Sequence, residues 1–462
     1  MNLKDKHVLV LGLGESGLAA ALWCCRQGAR IRVADTRSAP PFLTELQRRI
    51  TSTNWQFEFV AGEFDKSLLT GIDIVVLSPG LSGGMMVIIH ARAAGIPVLG
   101  EIELFAEGLR ELAGGSNTAP VIAITGTNGK TTTTALTGHL LASLGKRVGV
   151  AGNISPAALS ALMDACDSRI MPEVWVLELS SFQLETTETL TAAAATVLNI
   201  SEDHLDRYID IADYAATKSR VFQGEGVQVL NRQDARVKRM GVAGRQLITF
   251  GLDSPTNSTD FGLTEFSGTL WLVQGERQLL PVNELSMSGL HNAANAMAAL
   301  ALCVGLGYDA ASFVPALKSF RGLAHRVELV AEIDGVSWYD DSKGTNVGAT
   351  VAALEGLQRK VVVILGGDGK GQDFSHLTRA VKRHARAVVL IGRDGPLIEK
   401  TLINTGIPME SASDMPDAVR RARTLAKSGD AVLLSPACAS FDMYRNYEHR
   451  AQAFIAAVKD LS

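Results

Sequence analysis

The sequence predicts an α/β protein with three domains. Its 462 residues are enough for about three domains, and 47% of them are apolar, so the chain can bury several cores. Short runs rich in β-branched residues end in Gly, Ser or Asn and alternate with helical runs rich in Ala and Leu along the whole chain. This alternation is typical of parallel sheets that are covered by helices on both faces.

Composition narrows the classes of function. A formal net charge of -4 and an isoelectric point near 6.2 argue against a nucleic-acid-binding surface. The first apolar run is broken by glycine too early for a signal peptide or a spanning helix, so no membrane insertion is expected. The five cysteines are odd in number and lack CxxC spacing, which indicates reduced thiols and no zinc site. We expect a cytoplasmic monomer.

The first domain is predicted over residues 1–100, with strands in HVLVLG, RIRVAD and DIVVLSPG. Its first strand ends in a turn that contains Gly12, Gly14 and Gly17, and Asp35 closes the second strand. This spacing predicts a Rossmann-like domain in which a helix N-terminus holds a diphosphate. The turn alone leaves open a nicotinamide or flavin dinucleotide, another diphosphate, or a purely structural role.

The second domain is predicted over residues 101–322 and begins with a connector over 101–120. A strand, a glycine turn and a helix follow in VIAITGTNGKTTTTALTGHLLASLG, and this order predicts a P-loop-type mononucleotide-binding sheet. Further strands are expected in RVGVAG, VWVLELSS, ATVLNIS and VQVLN. A β-like stretch around GTLWLVQGERQLLPV then precedes a helix in HNAANAMAALALCVG.

The glycine turn GTNGKTT has the composition of a phosphate-binding loop. Backbone N–H groups at a helix N-terminus bind phosphate oxygens, the Lys130 ammonium neutralises charge, and a threonine hydroxyl can reach magnesium. The loop is shorter than the strict Walker pattern, because Ile124 stands where that pattern has glycine. A chance glycine turn beside a lysine is the alternative. The loop residues are Gly126, Thr127, Asn128, Gly129, Lys130, Thr131 and Thr132.

Two further side chains at strand ends point to a metal site. Glu178 interrupts an apolar strand, where an unpaired carboxylate would be costly, and His204 follows the next strand. Ligands of open α/β sheets bind beyond the carboxyl ends of the strands, where the Lys130 loop also lies. A structural salt bridge for Glu178 and an ordinary surface or core position for His204 are the alternatives, and the convergence favours the metal.

The third domain is predicted over residues 323–462, after a boundary near FRGLAHR (320–326). Strands are expected in GVSWYDD, KVVVILGGDG, RAVVLIGRDG and AVLLSPACAS. We expect a second Rossmann-like domain here.

Together these motifs resemble one family of enzymes. GTNGKTT, the strand-borne Glu178 with its neighbours, NISEDHLDRY, HNAANA, AHR (324–326) and YDDSKGTN are similar to the ATP-dependent Mur ligases of peptidoglycan synthesis, relatives of folylpolyglutamate synthase. Within that family, GLGESG with DTR and SPG, and the C-terminal LLSPACASFDMYRNYEHR, resemble the members that join D-glutamate to UDP-N-acetylmuramoyl-L-alanine. The resemblance covers essentially the whole chain.

The resemblance implies a reaction and its partners. ATP would phosphorylate the terminal carboxylate of UDP-N-acetylmuramoyl-L-alanine, and the amine of D-glutamate would attack the acyl phosphate. The first glycine loop would then hold the diphosphate of the UDP-sugar, and no NAD or FAD. The implied substrate-binding residues are Gly14, Glu15, Ser16, Gly17, Asp35, Thr36, Arg37, Ser78, Asn153, Ser180 and Gln183, with Thr345, Lys370, Ser440 and Phe441 for glutamate.

The resemblance also implies ATP and Mg²⁺ as cofactors and a catalytic set of Lys130, Glu178, His204, Lys218 and Lys343. Thr131 and Glu178 would hold one magnesium ion, His204 a second, and Lys218 would ligate as a carbamate. A surface lysine on an ordinary helix is the alternative for Lys218. On the nucleotide, the implied contacts are Asn292, Asn295, Arg326, Asp341 and Lys343.

Three readings compete at this stage. Another Mur ligase or a folylpolyglutamate-type ligase would share the central domain and differ in its acceptor and amino acid. A nucleotide-dependent binding or regulatory protein would keep the fold without turnover. The intact set of catalytic side chains argues against the last of these.

Overall fold

The described residues form three sheets that follow one another along the chain. The computed structural model describes residues 1–461 apart from 52, 54, 115–117, 204–206, 288 and 358. Within this part the sheets have five, nine and six strands, which we call the N-terminal, central and C-terminal sheets. Most neighbouring strands are parallel, so the prediction of a three-domain α/β protein is confirmed.

The N-terminal sheet is entirely parallel, in the order β3-β2-β1-β4-β5. Its strand order reverses between β1 and β4, which leaves a crevice beyond their carboxyl ends. The elements are β1 (His7–Leu11), α1 (Glu15–Arg26), β2 (Arg30–Asp35), α2 (Leu43–Thr51), β3 (Phe57–Ala61), β4 (Ile74–Leu77), α3 (Met86–Ala93) and β5 (Val98–Leu99).

The predicted connector over 101–120 is largely a helix, α4 (Glu101–Ala113), whereas residues 115–117 lie outside the described residues. Apolar side chains at helical spacing bury one face of α4, so the segment belongs to the core. The next elements are β6 (Val121–Thr125), α5 (Lys130–Ser143), β7 (Val148–Gly152), α6 (Ala158–Ser168), β8 (Val174–Glu178), α7 (Ser181–Leu184), β9 (Ala194–Val197), α8 (Ile211–Ser219), β10 (Val227–Asn231) and α9 (Ala235–Lys238).

The central sheet has the order β14-β13-β12-β11-β10-β9-β6-β8-β7 and is antiparallel only in its last hairpins, β12 to β14. The strand β6 that leads into the phosphate loop lies between β8 and β9, so the ends of all three strands meet. The remaining elements are β11 (Leu247–Phe250), β12 (Phe261–Phe266), β13 (Thr269–Gln274), β14 (Arg277–Pro281), α10 (Leu290–Gly305) and α11 (Val314–Ser319).

The C-terminal sheet has the order β15-β16-β20-β17-β18-β19, and only β15 is antiparallel to its neighbour. Its elements are β15 (Glu328–Ile333), β16 (Val336–Asp340), α12 (Val347–Gly356), β17 (Val361–Gly366), α13 (Leu377–His384), β18 (Ala385–Ile391), α14 (Gly395–Leu402), β19 (Met409–Ser411), α15 (Met415–Leu425), β20 (Ala431–Leu434) and α16 (Tyr447–Lys459).

The N-terminal and central sheets share one hydrophobic core through the helices between them. Trp23 of α1 and Leu162 of α6 enclose Gly108 of α4, where an added Cβ would lie 2.6 Å from the indole ring. The C-terminal sheet buries two cores of its own. Among the described helices, none is both long enough and apolar enough to cross a membrane.

Candidate active site

The phosphate loop connects β6 to α5 and depends on two glycines with positive φ. Gly126 has φ +148° and Gly129 has φ +83°, conformations that favour glycine. A Cβ at Gly129 would lie 2.4 Å from Asn295 Oδ1, so α10 approaches the loop closely. The backbone N–H groups of Thr127 and Asn128 donate to the carbonyl and the side-chain oxygen of Asn199, at 2.9 and 2.8 Å. The loop is therefore held in an open, backbone-lined curve at a helix N-terminus.

Lys130 begins α5 and points back over the loop. Its Nζ donates to the carbonyl oxygens of Gly126 and Thr127, at 2.9 and 2.8 Å. Burial lowers the pKa of Lys130, while the Glu178 and Asp203 carboxylates act in the opposite direction. An ammonium group has three donors, so one of them is left for a ligand in the loop.

Glu178 ends β8, and only 1% of it is exposed. Its Oε1 accepts a hydrogen bond from Asn153 Nδ2 at 2.7 Å, whereas Oε2 is buried with no hydrogen-bond partner among the described residues. Its charge acts to raise the pKa values of four nearby cations, Lys130, Lys218, Arg326 and Lys343, so the alternative of a structural ion pair for Glu178 stays open. A buried carboxylate oxygen without a partner is costly, and a cation would satisfy it.

Lys218 is a buried lysine of α8, with 1% exposure, and this rules out the alternative of a surface position. Its Nζ donates to Thr125 Oγ1 at 3.4 Å and lies 4.6 Å from the centroid of the Tyr214 ring. Burial lowers the pKa of Lys218 well below its ordinary value, and nearby Lys130 lowers it further. The nitrogen is thereby biased towards the neutral amine.

His204 lies outside the described residues, so its place in the site stays a prediction. The residue before it, Asp203, lines the cleft beside the phosphate loop. Asp203 Oδ2 accepts a hydrogen bond from Asn346 Nδ2 at 3.4 Å, which joins the loop after β9 to the C-terminal sheet.

Three residues of the C-terminal sheet face the phosphate loop. Arg326 Nη2 donates to Thr131 Oγ1 at 2.6 Å. Lys343 Nζ lies 3.8 Å from the centroid of the Tyr447 ring, and burial, followed by the charge of Arg326, lowers its pKa to about 8. Asp341 accepts a hydrogen bond from Ser435 at 2.6 Å, and burial raises its pKa to about 7.

Most of these groups line one cleft with a volume of about 580 Å³, whereas Lys218 and Asp341 are not part of its lining. All three sheets contribute to its lining, which brings cations, a buried carboxylate and the phosphate loop together. The cleft includes the following predicted residues: Glu15, Thr127, Asn128, Gly129, Lys130, Thr131, Asn153, Glu178, Arg326, Lys343 and Thr345.

A second pocket adjoins the phosphate loop on the side of α10. Asn292 and Asn295 line it together with Thr132 and Asp341. Asn295 Nδ2 donates to Asn292 Oδ1 at 3.2 Å, and both residues are buried. His291, which the sequence did not single out, also lines this pocket and keeps a buried Nδ1 without a hydrogen-bond partner among the described residues.

A third pocket lies beyond β1 and β4 of the N-terminal sheet. Asp35 accepts hydrogen bonds from the backbone of Leu13 at 2.8 Å and from two guanidinium nitrogens of Arg37, also at 2.8 Å. Arg37 lowers the pKa of Asp35 to about 2. Gly17 lies beneath the turn, where a Cβ would lie 2.0 Å from the Gly12 carbonyl oxygen. The predicted residues that line the pocket are Gly14, Glu15, Ser16, Asp35, Thr36, Arg37 and Ser78.

Besides Gly17, five predicted substrate residues line none of the three cavities described above. Ser180 and Gln183 hydrogen-bond to each other's backbone N–H and cap α7, which gives them a structural use. Lys370 is exposed with φ +50°, Ser440 is buried, and Phe441 is 69% exposed. Their contacts with substrate stay predictions.

Sequence reasoning missed several residues of the site. Asp203 and Asn346 were part of quoted motifs, and their position after a strand was the available signal. His325 and Asp340 form a 2.7 Å contact behind Arg326, and with Glu328 they are the described His and acidic residues close enough together to share a metal ion. Because His325 is hydrogen-bonded to both carboxylates, through its backbone N–H to Glu328 and through Nδ1 to Asp340, these contacts fit a structural role.

The fold and the cleft define a nucleotide-binding α/β protein whose phosphate loop faces two further sheets. Models of three domains match it: "Mur ligase MurD-like, N-terminal domain" over residues 6–100, "Mur ligase middle domain" over 124–303, and "Mur ligase, glutamate ligase domain" over 325–438. The chain belongs to the Mur ligase family.

Curated relatives match the chain along its full length. The UDP-N-acetylmuramoylalanine--D-glutamate ligase of Aromatoleum aromaticum is 56% identical over 462 residues, covering 99% of this chain and 98% of the relative. The protein of the same name from Dechloromonas aromatica is also 56% identical, with 100% of both chains covered.

Solved structures share the fold at low identity. The UDP-N-acetylmuramate-alanine ligase MurC of Thermotoga maritima has a TM-score of 0.59 at 20% identity, with 99% of this chain and 100% of that chain covered. MurF of Acinetobacter baumannii has a TM-score of 0.59 at 15% identity, with 98% and 91% covered.

Proposed function

We propose that this chain is an ATP-dependent ligase that joins D-glutamate to UDP-N-acetylmuramoyl-L-alanine and releases ADP and phosphate. The observation that carries the proposal is the cleft, where the Lys130 loop, the unpartnered oxygen of Glu178 and the cations Arg326 and Lys343 face one another. Two relatives at 56% identity that are named UDP-N-acetylmuramoylalanine--D-glutamate ligase support the choice of substrates. The product would be a cytoplasmic precursor of peptidoglycan.

The three sheets suggest a division of labour, which we propose with the bounds read from the sequence. Residues 1–100 would bind the UDP-sugar, because their pocket places a helix N-terminus beside Asp35 and Arg37. Residues 101–322 would bind ATP through the phosphate loop and the pocket of Asn292 and Asn295. Residues 323–462 would bind glutamate and close over the nucleotide.

The residues of the cleft fit a magnesium ion. The buried Oε2 of Glu178 has no hydrogen-bond partner among the described residues, and Thr131 Oγ1 keeps lone-pair capacity beside its bond from Arg326. These two groups would hold one magnesium ion, His204 of the undescribed segment would hold a second, and Lys218 would add a ligand oxygen as a carbamate. Bound magnesium would neutralise phosphate charge in the cleft.

Lys218 fits the carbamate because only a neutral amine reacts with carbon dioxide. Its burial and the nearby Lys130 favour that neutral form. A carbamate would replace a cation by an anionic oxygen ligand at the same place.

The reaction requires two anions to meet, the triphosphate and the alanine carboxylate. A carboxylate oxygen of the UDP-sugar substrate attacks the γ-phosphorus, the bond to ADP breaks, and an acyl phosphate forms. Lys130 and Arg326 neutralise the charge that develops on the transferring group. Positioning and charge neutralisation therefore supply most of the catalysis.

The second step forms the amide. The amine of D-glutamate attacks the acyl carbon, phosphate leaves, and the amine loses its proton. Lys343 lies at the cleft with a pKa near 8, so it can neutralise a carboxylate of glutamate and still titrate near neutral pH. Thr345, and the predicted contacts Lys370, Ser440 and Phe441, would complete the glutamate site.

Phosphate release with single omissions tests the proposal. Release should require ATP, Mg²⁺, UDP-N-acetylmuramoyl-L-alanine and D-glutamate together, and L-glutamate should not substitute. Lys130→Ala should abolish it, whereas Lys238→Ala, an exposed lysine of α9, should not. Turnover with a different acceptor or amino acid would favour another ligase of the family. Tight binding of nucleotide without release under any combination would favour a binding protein.

A further inference from the structure

Glu15 occupies the point where the N-terminal pocket meets the central cleft. Among the described residues that line these two cavities, only Glu15 lines both. It is the first residue of α1, whose N-terminus is the proposed diphosphate cradle. Its side chain does not cap that helix, because it reaches across to the central sheet.

The Glu15 carboxylate binds the turn that precedes α6. Its Oε1 accepts hydrogen bonds from Ser155 Oγ at 2.8 Å and from the backbone N–H of Ala157 at 3.1 Å. Ala157 is the N-cap residue of α6 and has no cap from its own side chain. A carboxylate of the N-terminal sheet thus stabilises a helix N-terminus of the central sheet.

The same turn also holds Glu178. Asn153 donates its side-chain amide to Glu178 Oε1 at 2.7 Å and its backbone N–H to the Glu178 carbonyl oxygen at 2.8 Å. A continuous path of contacts therefore runs from Glu15 through residues 153–157 to the carboxylate proposed to hold magnesium. The path connects two sites that belong to different sheets.

Electrostatic repulsion indicates how a bound diphosphate would affect the contacts of Glu15. A diphosphate at the N-terminus of α1 would repel the Glu15 carboxylate from that helix end, because both are anions at the same partial positive charge. The alternative anion site within reach of Glu15 is the N-terminus of α6, where the carboxylate already lies. Binding of the diphosphate should therefore strengthen the hold of Glu15 on the turn.

We propose that Glu15 is a positioning residue that couples the two sites, so that a nucleoside-diphosphate sugar in the N-terminal pocket tightens nucleotide binding in the cleft by ordering residues 153–157. This inference rests on the proposed function, since it takes the UDP-sugar and magnesium-ATP as the two ligands. The coupling is reciprocal, so ATP tightens the sugar nucleotide by the same factor.

Calorimetry without turnover tests the coupling. The dissociation constant of a magnesium complex of a non-hydrolysable ATP analogue is measured with and without saturating UDP-N-acetylmuramoyl-L-alanine, in the absence of glutamate. We expect the UDP-sugar to tighten the analogue by about fivefold or more in the wild type. Glu15→Ala should reduce that factor below about twofold, since it removes both contacts to the turn.

Two further variants sharpen the test. Ser155→Ala removes the hydrogen bond from Ser155 Oγ to Glu15 and keeps the one from Ala157. It should give a coupling factor between those of the wild type and Glu15→Ala. Glu45→Ala removes an exposed carboxylate of α2 that pairs with Arg48 and Arg49, and it should leave the factor at the wild-type value. If Glu15→Ala no longer binds the UDP-sugar, Ser155→Ala decides the question.

The outcomes separate the two proposals. If Glu15→Ala and Ser155→Ala both keep the tightening of the ATP analogue seen in the wild type, the coupling role is wrong. It is also wrong if the wild type binds both ligands and neither affects the affinity for the other. A wild type that binds neither ligand rejects the proposed function itself, and the coupling with it.

Discussion

Replacement of Lys218 by alanine is the sharpest test of the chemistry in the cleft. The lysine is buried, its Nζ lies near Thr125 Oγ1, and its pKa is lowered by burial and by Lys130. If the neutral amine takes up carbon dioxide, Lys218→Ala removes an anionic metal ligand. If the lysine acts as a cation, the same change removes a positive charge. The two cases predict opposite rescue.

The expected loss follows from the role. Loss of a group that ligates or orients a metal costs about a hundredfold in activity, which corresponds to about 2.7 kcal/mol in the activation free energy. The loss should fall on kcat, because the substrate pockets of Asp35 and Asn292 are lined by other residues. Denaturant unfolding checks that the variant still folds, because the change empties a buried site.

Chemical rescue distinguishes the two cases. Lys218→Ala vacates the space of the Cγ, Cδ, Cε and Nζ atoms, which a molecule the size of acetate can occupy. Acetate should restore part of the phosphate release, whereas methylamine should not. Removal of dissolved carbon dioxide should lower the activity of the wild type and leave Lys218→Ala unchanged. Lys238→Ala, at an exposed position of α9, serves as the control for loss of a lysine.

The opposite pattern would refute the reasoning. Rescue by methylamine with no response to acetate, together with a wild type that is indifferent to carbon dioxide, would make Lys218 a simple cationic contact.

Three other predictions concern the phosphate loop and Asp35. Lys130→Ala should abolish acyl phosphate formation, while the affinity for the UDP-sugar, measured by calorimetry, should be unchanged. Equal loss of both would mean that the roles of the N-terminal glycine turn and the phosphate loop are misassigned. Gly129→Ala should weaken binding of an ATP analogue by about tenfold, through roughly 1–2 kcal/mol of backbone strain and the clash with Asn295. Gly145→Ala is the control, because it introduces similar strain with no neighbouring atom and should leave the affinity for the analogue unchanged. Asp35 has its pKa lowered from 3.8 to about 2, so its contribution of about 2 kcal/mol is present above pH 4 and lost as the pH falls towards 2. Denaturant unfolding of the wild type and Asp35→Asn should therefore converge at low pH, and a constant difference would contradict this.

The sequence predicted most of the buried strands, including β7 at one edge of the central sheet, and missed several edge strands as well as the interior strands β11 and β12. Strands such as β1, β6 and β17 are buried on both faces, so their apolar runs stand out. The edge strands β3, β15 and β19 are half-exposed and mix charged with apolar residues, which removes that signal. The helix α4 was taken for a connector because its Gly/Ser/Asn continuation dominated the reading.

Some residues of the site could likewise be predicted from the sequence and others could not. Lys130 and Glu178 could be predicted because Lys130 follows the glycine turn after β6 and Glu178 ends β8, in one sheet. The contact of Arg326 with Thr131 joins residues 195 positions apart in different sheets, and no local pattern encodes it. The contact of Glu15 with Ser155 is of the same kind. Ser180 and Gln183 show the converse, since their spacing also satisfies a helix cap.

The buried charges of the cleft indicate what the fold is built to hold. Burial and the charge of nearby Lys130 lower the pKa of Lys218, and Glu178 keeps a carboxylate oxygen without a described partner. Each of these arrangements costs folding free energy in the chain alone. A triphosphate would supply a partner for the Lys130 ammonium, and a divalent cation would supply one for the Glu178 carboxylate. These unfavourable features of the unliganded structure are therefore ones that its proposed ligands would stabilise.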